Sequence, residues 1–154
     1  MKIETTRFGE LNIADEEIVT FSKGIVGFPE LQKYILLPVD VKKETPFFYL
    51  QSIEQQDLCF IVLETLSFFS EYDIELDESL VEELQIEKPE DILILSIVTS
   101  KGSLKEATTN LKAPIILNMV KKTAKQYVLE KGNYVIRQPL FISDQPSTII
   151  ESKG

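Results

Sequence analysis

The sequence predicts a mainly β protein: a small closed or nearly closed antiparallel β-barrel with one or two short helices. Three observations carry this expectation. Short β-branched and aromatic runs recur along the chain, separated by glycine and proline turn signals. Two of them, "LCFIVLETL" at 58–66 and "DILILSIVTS" at 91–100, are nearly all apolar, as in strands buried on both faces or in the wall of a small barrel. The clearest helical pattern is a brief one, inside an acidic stretch that Pro89 ends.

In chain order, "KIETTRF" alternates Ile3, Thr5 and Arg7 with polar neighbours, and Gly9 permits a turn into "ELNIA". "EIVTF" is a short β-branched run. "SKGIVGFPEL", 22–31, holds Gly24 and Gly27; the two glycines supply backbone freedom for a compact turn, and Phe28 is expected to plug the core. "YILLPV" ends at Pro38, which suits a strand end or an edge. "FFYLQSI" and the two apolar runs follow. Between those runs, Ser79 and Glu82 have capping-box spacing, which predicts about two helical turns near 79–86 with Leu80, Val81 and Leu84 on one face. Lys101-Gly102-Ser103 returns the chain into "LKEATTNL". "MVKKTAKQ" reads as a helical turn or a hairpin loop, and the hairpin is preferred. Lys131-Gly132-Asn133 is expected to join "QYVLE" to "YVIRQPL" as another hairpin.

A chain of 154 residues suits one domain, expected at 1–141, with the polar 142–154 as a flexible C-terminal tail. No apolar run approaches the roughly 18 residues of a membrane helix. The N-terminus lacks the apolar stretch of a signal peptide, and the single cysteine, Cys59, fits a reducing compartment. A cytoplasmic location is expected. The sequence contains no histidine, the commonest general base and metal ligand. No catalytic, metal or cofactor-binding residue is therefore assigned, and no enzyme activity is expected.

The net charge is −9, and it is unevenly spread. Residues 71–91 hold ten acidic residues and one lysine, while the rest of the chain is neutral. Direct nucleic-acid binding through a dominant basic face is not expected. An acidic run of this kind either attracts a basic protein partner or is a solvated surface.

Other candidate sites fail on spacing. Gly24 and Gly27 lack the third glycine and following helix of a phosphate loop. Asp73, Glu75 and Asp77 have the spacing that begins a calcium loop, but Glu78 and Leu84 stand where that loop needs glycine and glutamate. Cys59, between Leu58 and Phe60, reads as a buried inert thiol. Asn110, Asn118 and Gln126 read as residues that satisfy backbone groups at turns. Phe47, Phe48, Tyr49, Phe68, Phe69 and Tyr72 read mostly as core, with one or two left to anchor a partner.

The stretches "FSKGIVGFPEL", "PFFYLQS", "LCFIVLETLSFFSEYDIEL", "TTNLKAPIILN" and "KQYVL", in this order over 1–141, resemble the flagellar assembly factor FliW family. One departure is local: where the family pattern often has a proline after the strand at "LCFIVL", this chain has Glu64-Thr65-Leu66. The resemblance implies a cytoplasmic, non-enzymatic, chaperone-like regulator with a small β-barrel fold and two protein partners. One is the RNA-binding translational repressor CsrA, which blocks the flagellin message; the other is flagellin. Flagellin bound to the regulator leaves the repressor free, and export of flagellin lets the regulator capture it. Combined with the charge map, this makes Glu71, Asp73, Glu75, Asp77 and Glu78 the candidate partner-binding residues, set to dock near a basic surface and repel RNA phosphates. The opposing possibility is a solvent-facing acidic segment with the repressor on an apolar strand edge. The alternative function is a small β-barrel binding a small ligand or sugar in its mouth, which requires polar groups converging inside an open barrel.

Overall fold

The computed structural model describes residues 1–141, apart from the side chain of Leu104. The expected flexible tail, 142–154, lies outside the described residues. β1 (Lys2–Thr5) and β2 (Gly9–Asn12) form a separate hairpin through a turn at residues 6–8, which Gly9 leaves with a positive φ. The main sheet contains β3 (Ile18–Phe21), β4 (Lys33–Pro38), β5 (Phe47–Ser52), β6 (Cys59–Glu64), β7 (Ile92–Thr99), β8 (Thr108–Thr109), β9 (Ile115–Asn118), β10 (Thr123–Gln126) and β11 (Gln138–Pro139). Helices α1 (Thr65–Phe68) and α2 (Glu78–Glu83) lie between β6 and β7.

Seven strands close into a barrel in the order β3-β4-β5-β6-β7-β9-β10, with β10 returning to β3. Six of the seven neighbouring pairs are antiparallel, and β3–β10 is parallel. The antiparallel expectation is thus corrected at one seam, for a simple reason. Directions cannot alternate all the way round a ring with an odd number of strands, so one neighbouring pair has to run parallel. The barrel is closed and mixed. β7 reaches past it: Ile92 to Leu95 pair with β9, while Val98 and Thr99 pair with β8, which in turn pairs with β11.

The near-continuous apolar runs are explained by what covers the outside. Inward-facing Tyr34, Leu50, Val62, Leu95, Ile115 and Leu117 fill the barrel with Phe21, Ile25 and Ala124. On the outer face Ile3 of β1 and Ile13, just after β2, pack on Ile35. Residues Ala107 and Leu140 cover Leu63 elsewhere. Leu80 and Leu84, from α2 and its end, cover Ile116. Burying each such leucine contributes about 1.5–3 kcal/mol.

Several local expectations shift. Ile25 takes the core position below the glycine turn; Phe28 is only half-buried and stands edge-on to Phe60 at 5.7 Å. The helix begins one residue earlier than expected and ends at Glu83. Asp77, not Ser79, caps it: its Oδ1 accepts the Leu80 amide at 2.8 Å, a role that aspartate fills as well as serine. The expected strand through Leu66 stops at Glu64, and 65–68 make one helical turn. Thr65 is fully buried and shares a hydroxyl hydrogen bond with Ser96. The 119–122 segment is the connection of the β9–β10 hairpin, as preferred. Lys131-Gly132-Asn133 does not close a hairpin, because β10 already has β9 and β3 as neighbours. The returning chain pairs with β8 instead.

Two buried tyrosines give a contrast that a melting experiment reads. The Tyr34 hydroxyl has no hydrogen-bond partner among the described residues, and burial, aided by the Glu54 carboxylate, pushes its pKa up to about 12. The Tyr72 hydroxyl donates to the Leu111 carbonyl at 2.7 Å, and burial first, then Tyr134, pushes it higher still. Tyr72→Phe is expected to cost about 1 kcal/mol, whereas Tyr34→Phe should cost nothing or stabilise. The pH dependence has a definite sign. The native state holds both phenolic protons more tightly than the unfolded chain, in which tyrosine titrates near 10. Stability is therefore intact below about pH 10 and falls as pH rises from there through about 12. Tyr34→Phe should make that fall shallower without abolishing it.

Candidate functional site

Residues 70–77 cross from α1 to α2 outside any β-ladder, yet they alternate like a strand. Tyr72 is buried and Ile74 and Leu76 are half-buried, while Glu71, Asp73, Glu75 and Asp77 are exposed. An extended backbone puts successive side chains on opposite sides, so this alternation sorts apolar groups inward and carboxylates outward. Tyr72 anchors the segment through its hydroxyl and through its ring, 4.5 Å from that of Tyr134. The Tyr134 hydroxyl accepts the Asp73 amide at 2.9 Å and donates to the Asp73 carbonyl at 3.2 Å. The Tyr127 hydroxyl donates to Asp77 Oδ2 at 3.1 Å. Partial burial, and then this carboxylate, push the Tyr127 phenol up.

An open groove of about 800 Å³ runs between this segment and residues 127–134. The structure brings four of the five candidates to it: Asp73, Glu75, Asp77 and Glu78. Glu71 is exposed on the same extended segment but does not line the groove. Glu130 adds another carboxylate and Lys131 the one cation among the lining residues, while Ile74, Leu76, Tyr127 and Leu129 supply apolar surface. Sequence reasoning missed Tyr127, Glu130 and Tyr134, which come from a distant segment with no motif of its own. The one signal for Tyr127 and Glu130 was the "YVLE" alternation, and Tyr134 had none.

The carboxylates differ in what they do. Glu83 is ion-paired to Lys125 at 3.0 Å. Asp77 has both oxygens engaged, one in the helix cap and one with Tyr127. Glu71, Asp73, Glu75 and Glu78 hold no ion pair among the described residues. Asp77→Ala should therefore lower stability by about 1 kcal/mol, in the usual range for loss of a cap. Glu78→Ala should leave stability nearly unchanged. Thermal melts of the two variants side by side check this.

The remaining candidates are structural. Asn118 is buried; its Nδ2 donates to the carbonyls of Leu84 and Gln85, and its Oδ1 accepts from Val120 and Lys121. Asn110 Oδ1 accepts from Lys112 and Ala113, and Gln126 ties Val26 to Ala113. All three satisfy backbone groups, as expected. Cys59 is half-buried; burial pushes its thiol up, and Arg7 beside it offsets this only in part. Among the described residues, no group of three or more acidic or thiol side chains converges as a metal site would require. No helix among them is long and apolar enough to cross a membrane. The barrel interior is filled by its largely apolar cluster, which leaves it without the open cavity that a ligand in the mouth would need.

Comparison with known proteins points to one family. Residues 2–140 match the family model described as FliW protein. The chain is 38% identical over 142 residues to the flagellar assembly factor FliW of Natranaerobius thermophilus, which covers 92% of this chain and 93% of that one. It is 40% identical over 141 residues to that of Clostridium novyi, covering 92% and 97%. A crystal structure of the flagellar assembly factor FliW superposes with a TM-score of 0.83 at 36% identity, over 94% of this chain and 99% of the other.

Proposed function

The chain belongs to the FliW family of flagellar assembly factors, and from that premise we propose that it is a cytoplasmic, non-enzymatic regulator of flagellin synthesis. It binds the translational repressor CsrA and antagonises it, and it binds flagellin in alternation with the repressor. The observation that carries the reading is the line of carboxylates at 71–78. They are exposed, hold no ion pair among the described residues and are held on a segment anchored by two tyrosines. A protein that binds RNA is basic on its binding face. Carboxylates docked beside that face attract the repressor and raise the electrostatic cost of bringing in phosphates. The RNA site need not be occupied for RNA to be lost.

Mixing the purified chain, repressor and flagellin, with complexes followed by size exclusion, tests the proposal. A complex of chain and repressor should form and should diminish as flagellin is added. Simultaneous binding of both partners, with neither altering the other's affinity, would remove the switch. Absence of both complexes at micromolar concentrations would remove the proposal itself.

A further inference from the structure

The groove has a property that its charge does not require. Tyr127 N–H donates to the Pro114 carbonyl and Leu129 N–H to the Lys112 carbonyl, each at 2.8 Å. These two bonds continue the β9–β10 ladder in register beyond Gln126. In such a ladder the N–H and C=O of the intervening residue point away from the partner strand. Val128 is that residue, and among the described residues its backbone groups have no hydrogen bond. Across the groove, the backbone groups of Ile74, Glu75 and Leu76 also have none, although the segment is extended. The groove is thus lined by strand-like backbone without a hydrogen-bond partner among the described residues, together with apolar side chains and carboxylates. An unpaired strand edge is a template for another strand.

We infer that this groove takes an extended, basic segment of a partner protein by strand addition. The partner's alternate apolar side chains rest on Ile74, Leu76 and Leu129, and its lysines or arginines face Asp73, Glu75 and Glu130. Main-chain hydrogen bonds supply affinity in this mode of recognition, and the alternation supplies specificity. The charge balance selects the occupant: the lining carboxylates outnumber the single cation, Lys131, so a second acidic strand is repelled. The inference deepens the reading of this segment as a partner surface, and it holds whichever protein that partner is.

The test uses the full chain and a labelled synthetic peptide that alternates lysine and valine. Fluorescence polarisation should show saturable binding. An otherwise identical peptide N-methylated at alternate residues should bind at least about tenfold more weakly on one of its two edges, because methylation removes the donors of that edge. Glu75→Lys/Glu130→Lys should weaken binding by about fivefold or more, since exposed charges act singly but add. Hydrogen exchange should slow at Val128 or at Ile74, Glu75 and Leu76 when peptide is bound. Binding with no new amide protection, or equal displacement by spermine at matched charge, would overturn the inference and leave a charged patch. Self-association competed by the peptide would overturn it in favour of a second copy of this chain. Peptide binding with amide protection, but no repressor binding, would preserve this inference and defeat the repressor reading. Repressor binding without amide protection at these residues would do the reverse.

Discussion

Gly24→Ala should be the most damaging single methyl that can be added to this protein's turns. Gly24 sits at φ +67°, in the left-handed region, which costs a residue with a Cβ about 1–2 kcal/mol. Space is the larger problem. A Cβ there would lie 2.5 Å from the Phe28 carbonyl oxygen, 2.6 Å from Pro29 Cα and 2.7 Å from the Pro29 carbonyl oxygen. All three are backbone atoms, and Pro29 cannot swing its φ to make room. The turn must open, and opening it lifts Ile25, which is 1% exposed, out of the barrel. The combined cost is expected at about 3–5 kcal/mol, in the range of a large core truncation. For a domain of this size that lowers the melting temperature by about 10 °C or more. Gly27→Ala is the control. Its φ of +94° carries the same kind of backbone strain, but a Cβ there meets nothing within 4 Å, so the loss should stay near 1–2 kcal/mol. If the two variants melt together, the close approach at Gly24 is not what holds the turn.

The same turn shows how far the sequence could be read. Two glycines three apart, without a third glycine or a following helix, excluded a phosphate loop and left a backbone role. Both glycines do have positive φ. Which residue then points into the barrel was not legible, because Ile25 and Phe28 are both apolar and the choice rests on the turn's path. Turn and strand signals likewise located the β1–β2 and β9–β10 hairpins. They missed the single parallel seam, since parity is a property of the closed ring and no local window contains it. The helix was found one residue late because two capping signals overlap: Asp77 and Ser79 are both good caps, and the Tyr127 hydroxyl favours the first. That tyrosine is 50 residues away. The candidate site divides in the same manner. Its acidic wall stood out as local composition. Its opposite wall, with Tyr127, Glu130 and Tyr134, exists only after β10 has folded back beside the acidic segment.

This division shapes the test of the acidic wall. Charge reversal is informative only where the carboxylate has no structural task, which excludes Asp77 and Glu83. Glu78 also has no ion pair among the described residues but belongs to α2; Glu71, Asp73 and Glu75 are exposed, hold no ion pair among the described residues and project from one side of an extended segment. Asp73 contributes only its main chain to the Tyr134 hydrogen bonds, so its side chain is free to change. Glu71→Lys/Asp73→Lys/Glu75→Lys should therefore melt like the parent. Its encounter with the repressor should change strongly. Each exposed charge contributes about 1 kcal/mol or less, so single reversals will look mild. Three reversals alter the local charge by six units on a net charge of −9. Steering of this kind changes association rates by about tenfold to a thousandfold. At low ionic strength the triple variant is expected to associate with the repressor at least about tenfold more slowly, with a smaller effect on dissociation. The gap between variant and parent should narrow as salt rises, because the Debye length falls to about 8 Å at physiological ionic strength. Flagellin binding, expected to rest more on apolar contact, should change less. The measurement is a salt series of association rates for both proteins, with melting curves as the folding control. A folded triple variant that associates at the parental rate in low salt would reduce residues 71–78 to solvated surface, and the repressor's docking site would have to be sought on an apolar strand edge.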